Sequence, residues 1–189
     1  MSTKKKLLIV GSVLLGIFLI VNIVWFATVY AQWNGYVENS GAIRDESGVE
    51  ARYYGDTDDT YTVSISKPSY LKFSNNGFLQ VTFSEPYSVS GYDTGNLVAN
   101  RPINISVYFW PDMMGEYSCG VMFSDDISGF KAQVYIDKEL NIVGNEDVIE
   151  DEFVEQVEKC MTENEATIRA MYQFGIDSFG LDTGNHIVD

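Results

Sequence analysis

An uncharged apolar run from Leu7 to Ala31 follows directly on Lys4, Lys5 and Lys6. An α-helix rises about 1.5 Å per residue and a bilayer's hydrocarbon core is about 30 Å thick, so the run is long enough to span a membrane with some tilt. Lysines flank one end and none follows soon after the other, which holds the N-terminus in the cytoplasm. The expected organisation is a cytoplasmic tail over 1–6, a transmembrane signal-anchor helix over 7–31, a membrane-proximal spacer over 32–59 and an exported domain over 60–189. The expected location is the cell membrane, single-pass, with the C-terminal domain extracytoplasmic.

Trp25, Tyr30, Trp33 and Tyr36 cluster at the far end of the run, where amphipathic rings favour the membrane–water boundary. Val29-Tyr30-Ala31 before Gln32 also matches a small-residue cleavage pattern, and cleavage there would release a secreted domain. Signal-peptide cores run about 7–15 residues; the longer run here favours a retained anchor. Ser12 and Gly16 form a small-xxx-small pair and Asn22 is a polar group within the span. Both can join helices, and both also occur in helices that stay single, so oligomeric state is open.

The first acidic residue is Glu38. Three of the 12 basic residues are Lys4 to Lys6, which leaves nine against 27 acidic ones in the exported part, a net charge near −18. Such a field repels nucleic acid and serves solubility. Cys119 and Cys160 are the two cysteines. In an oxidising compartment an even pair suggests a bridge; both fall on apolar faces, and the expectation is a Cys119–Cys160 disulfide, with two buried thiols as the alternative.

Beyond Thr60 the apolar period is two. Tyr61, Val63 and Ile65 alternate with Thr62, Ser64 and Ser66, as in a half-buried strand. Tyr70–Phe73 and Phe78–Phe83 read as a hairpin about Ser74-Asn75-Asn76-Gly77, residues 85–102 as a long loop, and Ile103–Trp110 as a strand. Tyr117, Cys119, Val121 and Phe123 share one face of the next strand, and Phe130, Ala132, Val134 and Ile136 share one face of another, with Leu140–Val143 pairing back.

After Gly144 the period changes. Ile149, Phe153, Val157, Cys160, Met161, Ile168, Met171 and Tyr172 fall in one stripe at 100° per residue, as on an amphipathic helix. Thr162 with Glu165 resembles a capping box that would break it. Gly175 is the expected end, and 182–189 the expected frayed tail. The fold class is α+β: an N-terminal transmembrane helix, then an antiparallel sheet covered by a C-terminal amphipathic helix.

His186 is the sole histidine and lies in that tail, which argues against serine–histidine or cysteine–histidine catalysis and against histidine-ligated zinc. No phosphate-binding glycine loop is present, and no cofactor is expected. Asp56, Asp58 and Asp59 are the densest oxygen-ligand cluster; the glycine of a calcium loop is missing, and a solvated acidic turn explains them as well. Asn104-Ile105-Ser106 matches a glycosylation acceptor but sits inside an expected strand. Tyrosine favours strands, yet exposed tyrosines also bind peptide or sugar, and Tyr87 and Tyr92 in the long loop are the binding-surface candidates. The expected function is a membrane-anchored extracytoplasmic interaction domain for a protein or cell-envelope ligand, with no nucleic acid bound. A cell-surface hydrolase working through paired carboxylates is the competing class.

Overall fold

One helix enters the fold and does not stop where the apolar run stops. The computed structural model describes residues 2–45, 52–55, 61–73, 77–83, 87–89, 101–125, 130–143 and 151–187. Helix α1 (Thr3–Trp25) passes through a π-helical turn (Phe26–Tyr30) straight into α2 (Ala31–Asn39). Among the described residues this is the one helix long and apolar enough to cross a membrane, and its most apolar stretch is not buried against the rest of the chain. Trp25, Val29, Trp33 and Tyr36 are buried. Trp25, Val29 and Trp33 are spaced by four, which drifts about 40° per step on a helix turning about 100° per residue; the wider π turn takes up part of that drift, and the step of three to Tyr36 turns back the other way, so all four side chains face the domain.

The sheet follows from alternation. Seven antiparallel strands lie in the order β1 (Ile43–Arg44), β2 (Arg52–Gly55), β3 (Tyr61–Ser66), β4 (Leu79–Phe83), β6 (Arg101–Pro111), β7 (Tyr117–Asp125) and β8 (Phe130–Ile136), and β5 (Tyr87–Val89) pairs with the start of β6. Register places Val63 opposite Val81, Val81 opposite Val107, Val107 opposite Val121, and Val121 opposite Val134. All five are fully buried. A β-branched row of this kind packs well on a pleated surface. It is flanked by a second buried row, Ile65, Leu79, Phe109, Cys119 and Ile136.

Helices α3 (Asp151–Glu163) and α4 (Glu165–Phe179) follow, and α4 lies over β3, β4 and β6. Val157, Cys160, Met161, Ile168, Met171 and Tyr172 are buried, as their helical spacing requires; Ile149 and the side chain of Phe153 lie outside the described residues. Asn39 Nδ2 donates to the carbonyl of Phe179 at 2.9 Å, which ties the end of α2 to the end of α4. The α+β class stands, with the cover made by two C-terminal helices and the end of the N-terminal one.

Several sequence expectations are corrected here. The spacer over 32–59, expected to run into a short strand at Glu50–Tyr54, does hold one there, β2, but it also contains α2 and β1, because Trp33 and Tyr36 have a core to enter. Tyr70–Phe73 is not a strand; β3 pairs directly with β4, and 67–78 is their connection. The loop over 85–102 holds β5 and the first residues of β6. The helix breaks at Asn164 instead of at a Thr162 cap: Asn164 Nδ2 donates back to the Cys160 carbonyl at 2.9 Å, and Thr162 Oγ1 to that of Glu158. The tail does not fray over 182–187, where the Ile187 amide donates to the Tyr117 carbonyl at 2.9 Å. Cys119 and Cys160 are both buried thiols and no bridge joins them.

Gly175 does not end the helix; Gly180 does, with φ 68°. Gly175 sits inside α4, where a Cβ would stand 2.5 Å from Phe109 Cε2 and 3.0 Å from Val81 Cγ2. The missing side chain lets α4 approach the sheet. Alanine gains up to about 1 kcal/mol in helix propensity over glycine, whereas forcing a methyl into a filled core costs about 1–3 kcal/mol. The clash should win, because Phe109 is fully buried and has nowhere to go. Gly175→Ala should therefore lower stability by about 1–2 kcal/mol net in a urea titration, and a stabilised variant would refute the packing.

Candidate functional site

The sheet has a second face, and its residues alternate with the buried rows. On it Ser64 Oγ donates to Gln80 Oε1 at 3.0 Å, Gln80 Nε2 donates to Ser106 Oγ at 3.1 Å, and Thr82 Oγ1 lies 3.2 Å from Ser106 Oγ. Ser64, Gln80 and Ser106 are buried between taller neighbours, and the chain of hydrogen bonds satisfies them there.

Beside this polar strip runs an aromatic row. Phe78 meets Tyr108 edge-on with centroids 5.4 Å apart; Tyr108 stacks on Trp110 at 5.7 Å with planes 9° apart; Trp110 meets Tyr135 at 5.4 Å. Gly120 makes the row continuous. It stands opposite Tyr108 on one side and Tyr135 on the other, and a Cβ on it would come within 3.0 Å of the Trp110 ring. The indole thus packs directly against Gly120 of β7. Tyr135 is exposed and the other three rings are half-buried. Rings held this way offer faces to a flat apolar ligand surface at little cost in conformational entropy, each aromatic pair adding about 0.5–1.5 kcal/mol beyond its area.

The row begins at a small cleft where the helix meets the sheet. Val29, Trp33 and Tyr36 form one wall, and Phe78, Pro111 and Met113 the other, around about 30 Å³, room for a water or two. Gln32 closes one end: its side-chain amide donates to the Asp112 carbonyl at 2.8 Å and accepts from the Gly115 amide at 2.9 Å. Asp112 is the one carboxylate among the described residues lining the cleft. Its Oδ1 accepts from the Met114 and Glu116 amides at 2.7 and 3.0 Å, so it holds the turn.

His186 ends a buried polar chain on the other side of the sheet. Its Nε2 lies 3.0 Å from the Ile136 carbonyl, its Nδ1 lies 3.1 Å from the Tyr172 hydroxyl, and that hydroxyl lies 3.3 Å from the Tyr117 hydroxyl. A carbonyl only accepts, so Nε2 carries the hydrogen, Nδ1 accepts from Tyr172, and Tyr172 accepts from Tyr117. The chain suits a neutral imidazole. Burial pushes the His186 pKa down, against the Ile136 hydrogen bond and the nearby Asp137 and Glu139. Burial pushes both tyrosines up, and their mutual hydrogen bond adds to the shift at Tyr117. Groups so tuned are poor proton donors at neutral pH, and the arrangement is a latch for the tail.

A pH prediction follows from that latch. The folded pKa of His186 lies below the unfolded value of about 6.5, so the unfolded chain takes up a proton first on acidification. The stability it contributes is complete above about pH 6.5 and is lost as pH falls through the folded value. The sole imidazole should titrate below about 6.5 by NMR, and His186→Phe should flatten the fall in urea midpoint between about pH 7 and pH 5. An imidazole titrating above that value would contradict the latch.

The site expected from sequence and the site in the structure differ. Tyr87 is in β5 opposite Ile103, but its side chain, and the whole of Tyr92, lie outside the described residues. So do Asp56, Asp58 and Asp59. Among the described residues no three or more His, Cys, Asp or Glu side chains gather as a metal site would need. Trp110, Phe78 and Gly120 were missed by sequence reasoning. A signal was present: Val107-Tyr108-Phe109-Trp110 has no polar residue at either parity, which marks a strand apolar on both faces. The chain matches no protein-family model, no curated protein and no solved structure with which it was compared.

Proposed function

We propose that this is a single-pass membrane protein, N-terminus cytoplasmic, that holds an extracytoplasmic interaction domain at the membrane and binds a protein or cell-envelope ligand on its outer aromatic face. The row Phe78–Tyr108–Trp110–Tyr135 carries the reading. It is apolar, rigid, partly open to solvent, and set beside hydrogen-bonding Ser, Gln and Thr groups. That combination suits an extended ligand with flat faces and a polar edge, such as a glycan strand or a peptide. The apolar helix supports the anchor, and the packing of Trp33 and Tyr36 into the core argues that helix and domain act as one piece. The hydrolase reading lacks its second carboxylate in the cleft, among the described residues.

The test is a screen of the full-length protein in detergent against glycan and peptide arrays. The expected result is binding to one ligand class that falls at least about tenfold in Trp110→Ala, as loss of an aromatic contact worth about 1.5 kcal/mol requires, with the circular dichroism unchanged. A ligand bound equally by wild type and variant would show that the face is not the site.

A further inference from the structure

The β3–β4 connection reaches down the helix into the stretch that would lie in lipid. The Trp25 indole donates to the Lys72 carbonyl at 3.1 Å. The Tyr70 ring meets Trp25 edge-on with centroids 5.3 Å apart, and its hydroxyl is hydrogen-bonded to Asn22 Oδ1. Leu7 to Phe26 is twenty residues, about 30 Å of helix and so about one hydrocarbon thickness. With the inner edge at Leu7, the outer edge falls near Phe26, and Asn22 lies about 6 Å below it. A loop that touches both Trp25 and Asn22 must then stand at the outer edge of the hydrocarbon, just beneath the headgroups.

Its composition suits that place. Residues 67–73 hold Lys67 and Lys72 and no acid, in an exported part that is strongly acidic. Both lysines are exposed, and Tyr70 is 58 % exposed although it is a large ring next to an apolar helix. Trp25, Phe26 and Tyr30 pack against one another beside it, edge-on or tilted. Aromatic rings with cationic side chains that snorkel to phosphate are what the interfacial layer accommodates. Met114, in the nearby turn that Gln32 holds, is 74 % exposed.

We infer that Lys67–Phe73 is a second membrane contact, with Tyr70 at the hydrocarbon edge and Lys67 and Lys72 against the phosphates of the outer leaflet's phospholipids. The inference rests on the anchor reading above. Two contacts, a helix and a loop, would fix the tilt and rotation of the domain and so the direction in which its aromatic face points.

The test uses the full chain in vesicles of phosphatidylcholine with phosphatidylglycerol, carrying nitroxide either on the headgroup or deep in the acyl chain. A fluorophore is placed on Ser69→Cys in the loop, Ile20→Cys in the span, or Lys131→Cys at the opposite end of the sheet, where it pairs with Ser124. Cys119 and Cys160 are each 1 % exposed, so labelling the folded protein leaves them as the blank. The expected result is quenching of Ser69 by the headgroup nitroxide, of Ile20 by the deep one, and of Lys131 by neither; Lys67→Glu with Lys72→Glu should cut the Ser69 quenching by at least half. If Ile20 is quenched but Ser69 no more than Lys131, the anchor stands and the loop contact is overturned. If Ile20 escapes the deep nitroxide, the anchor reading fails and the loop contact with it.

Discussion

Phe109→Ala should lower the unfolding free energy by about 3–5 kcal/mol, the range for deleting a fully buried aromatic ring. Phe109 lies on β6, which pairs with β4 on one side and β7 on the other. Its ring has no solvent exposure and packs against Tyr117, Tyr172 and Phe179, with centroids 5.6–6.0 Å away. Gly175 presses on it from α4. Walls fixed by a sheet on one side and a helix on the other relax little, so the cavity persists and the cost sits high in that range. A urea titration in detergent measures it: the midpoint should fall with the slope unchanged. A loss under about 1 kcal/mol would mean that the core closes around the gap and that α4 is not held against β6 as described.

Trp33→Ala should cost a similar amount, about 3–5 kcal/mol, although Trp33 stands beyond the apolar run. The reason is that α2 belongs to the domain. Trp33 is buried, its ring packs at a tilt against Tyr30 with centroids 5.3 Å apart, and Lys67 Nζ lies 5.9 Å from its centroid. Removing the indole should also speed amide exchange in 67–73, which rests against the same stretch of helix. Were 32–59 a tether, Trp33→Ala would act as a surface change, within about 0.5 kcal/mol, and exchange in the loop would not move.

Much of the fold was legible because burial on one face leaves a period in the sequence. The inward positions of β3, β7 and β8 could be read directly from Val63 and Ile65, from Tyr117 to Phe123, and from Ala132 to Ile136. Two kinds of feature were not. The first is packing between elements distant in sequence. Gly175 reads locally as a helix stop, yet Phe109 and Val81 make it a contact point; Trp33 and Tyr36 read as an interfacial belt, yet they enter the core. The second is juxtaposition across strands. Phe78, Tyr108, Trp110 and Tyr135 come from three strands and their edges, and nothing within one segment announces that Gly120 lets them meet. His186 looked idle in a polar tail; its role depends on Tyr117 and Tyr172, 69 and 14 residues away.

Thiol accessibility on intact cells measures directly whether the domain lies outside the membrane, as proposed. Ser2→Cys reports the N-terminus and Lys138→Cys, whose side chain is 64 % exposed, reports the domain; the two native thiols are buried. With a membrane-impermeant maleimide, the account predicts that Cys at 138 is labelled before lysis and Cys at 2 only after it. Labelling of position 2 on intact cells with position 138 protected would contradict it.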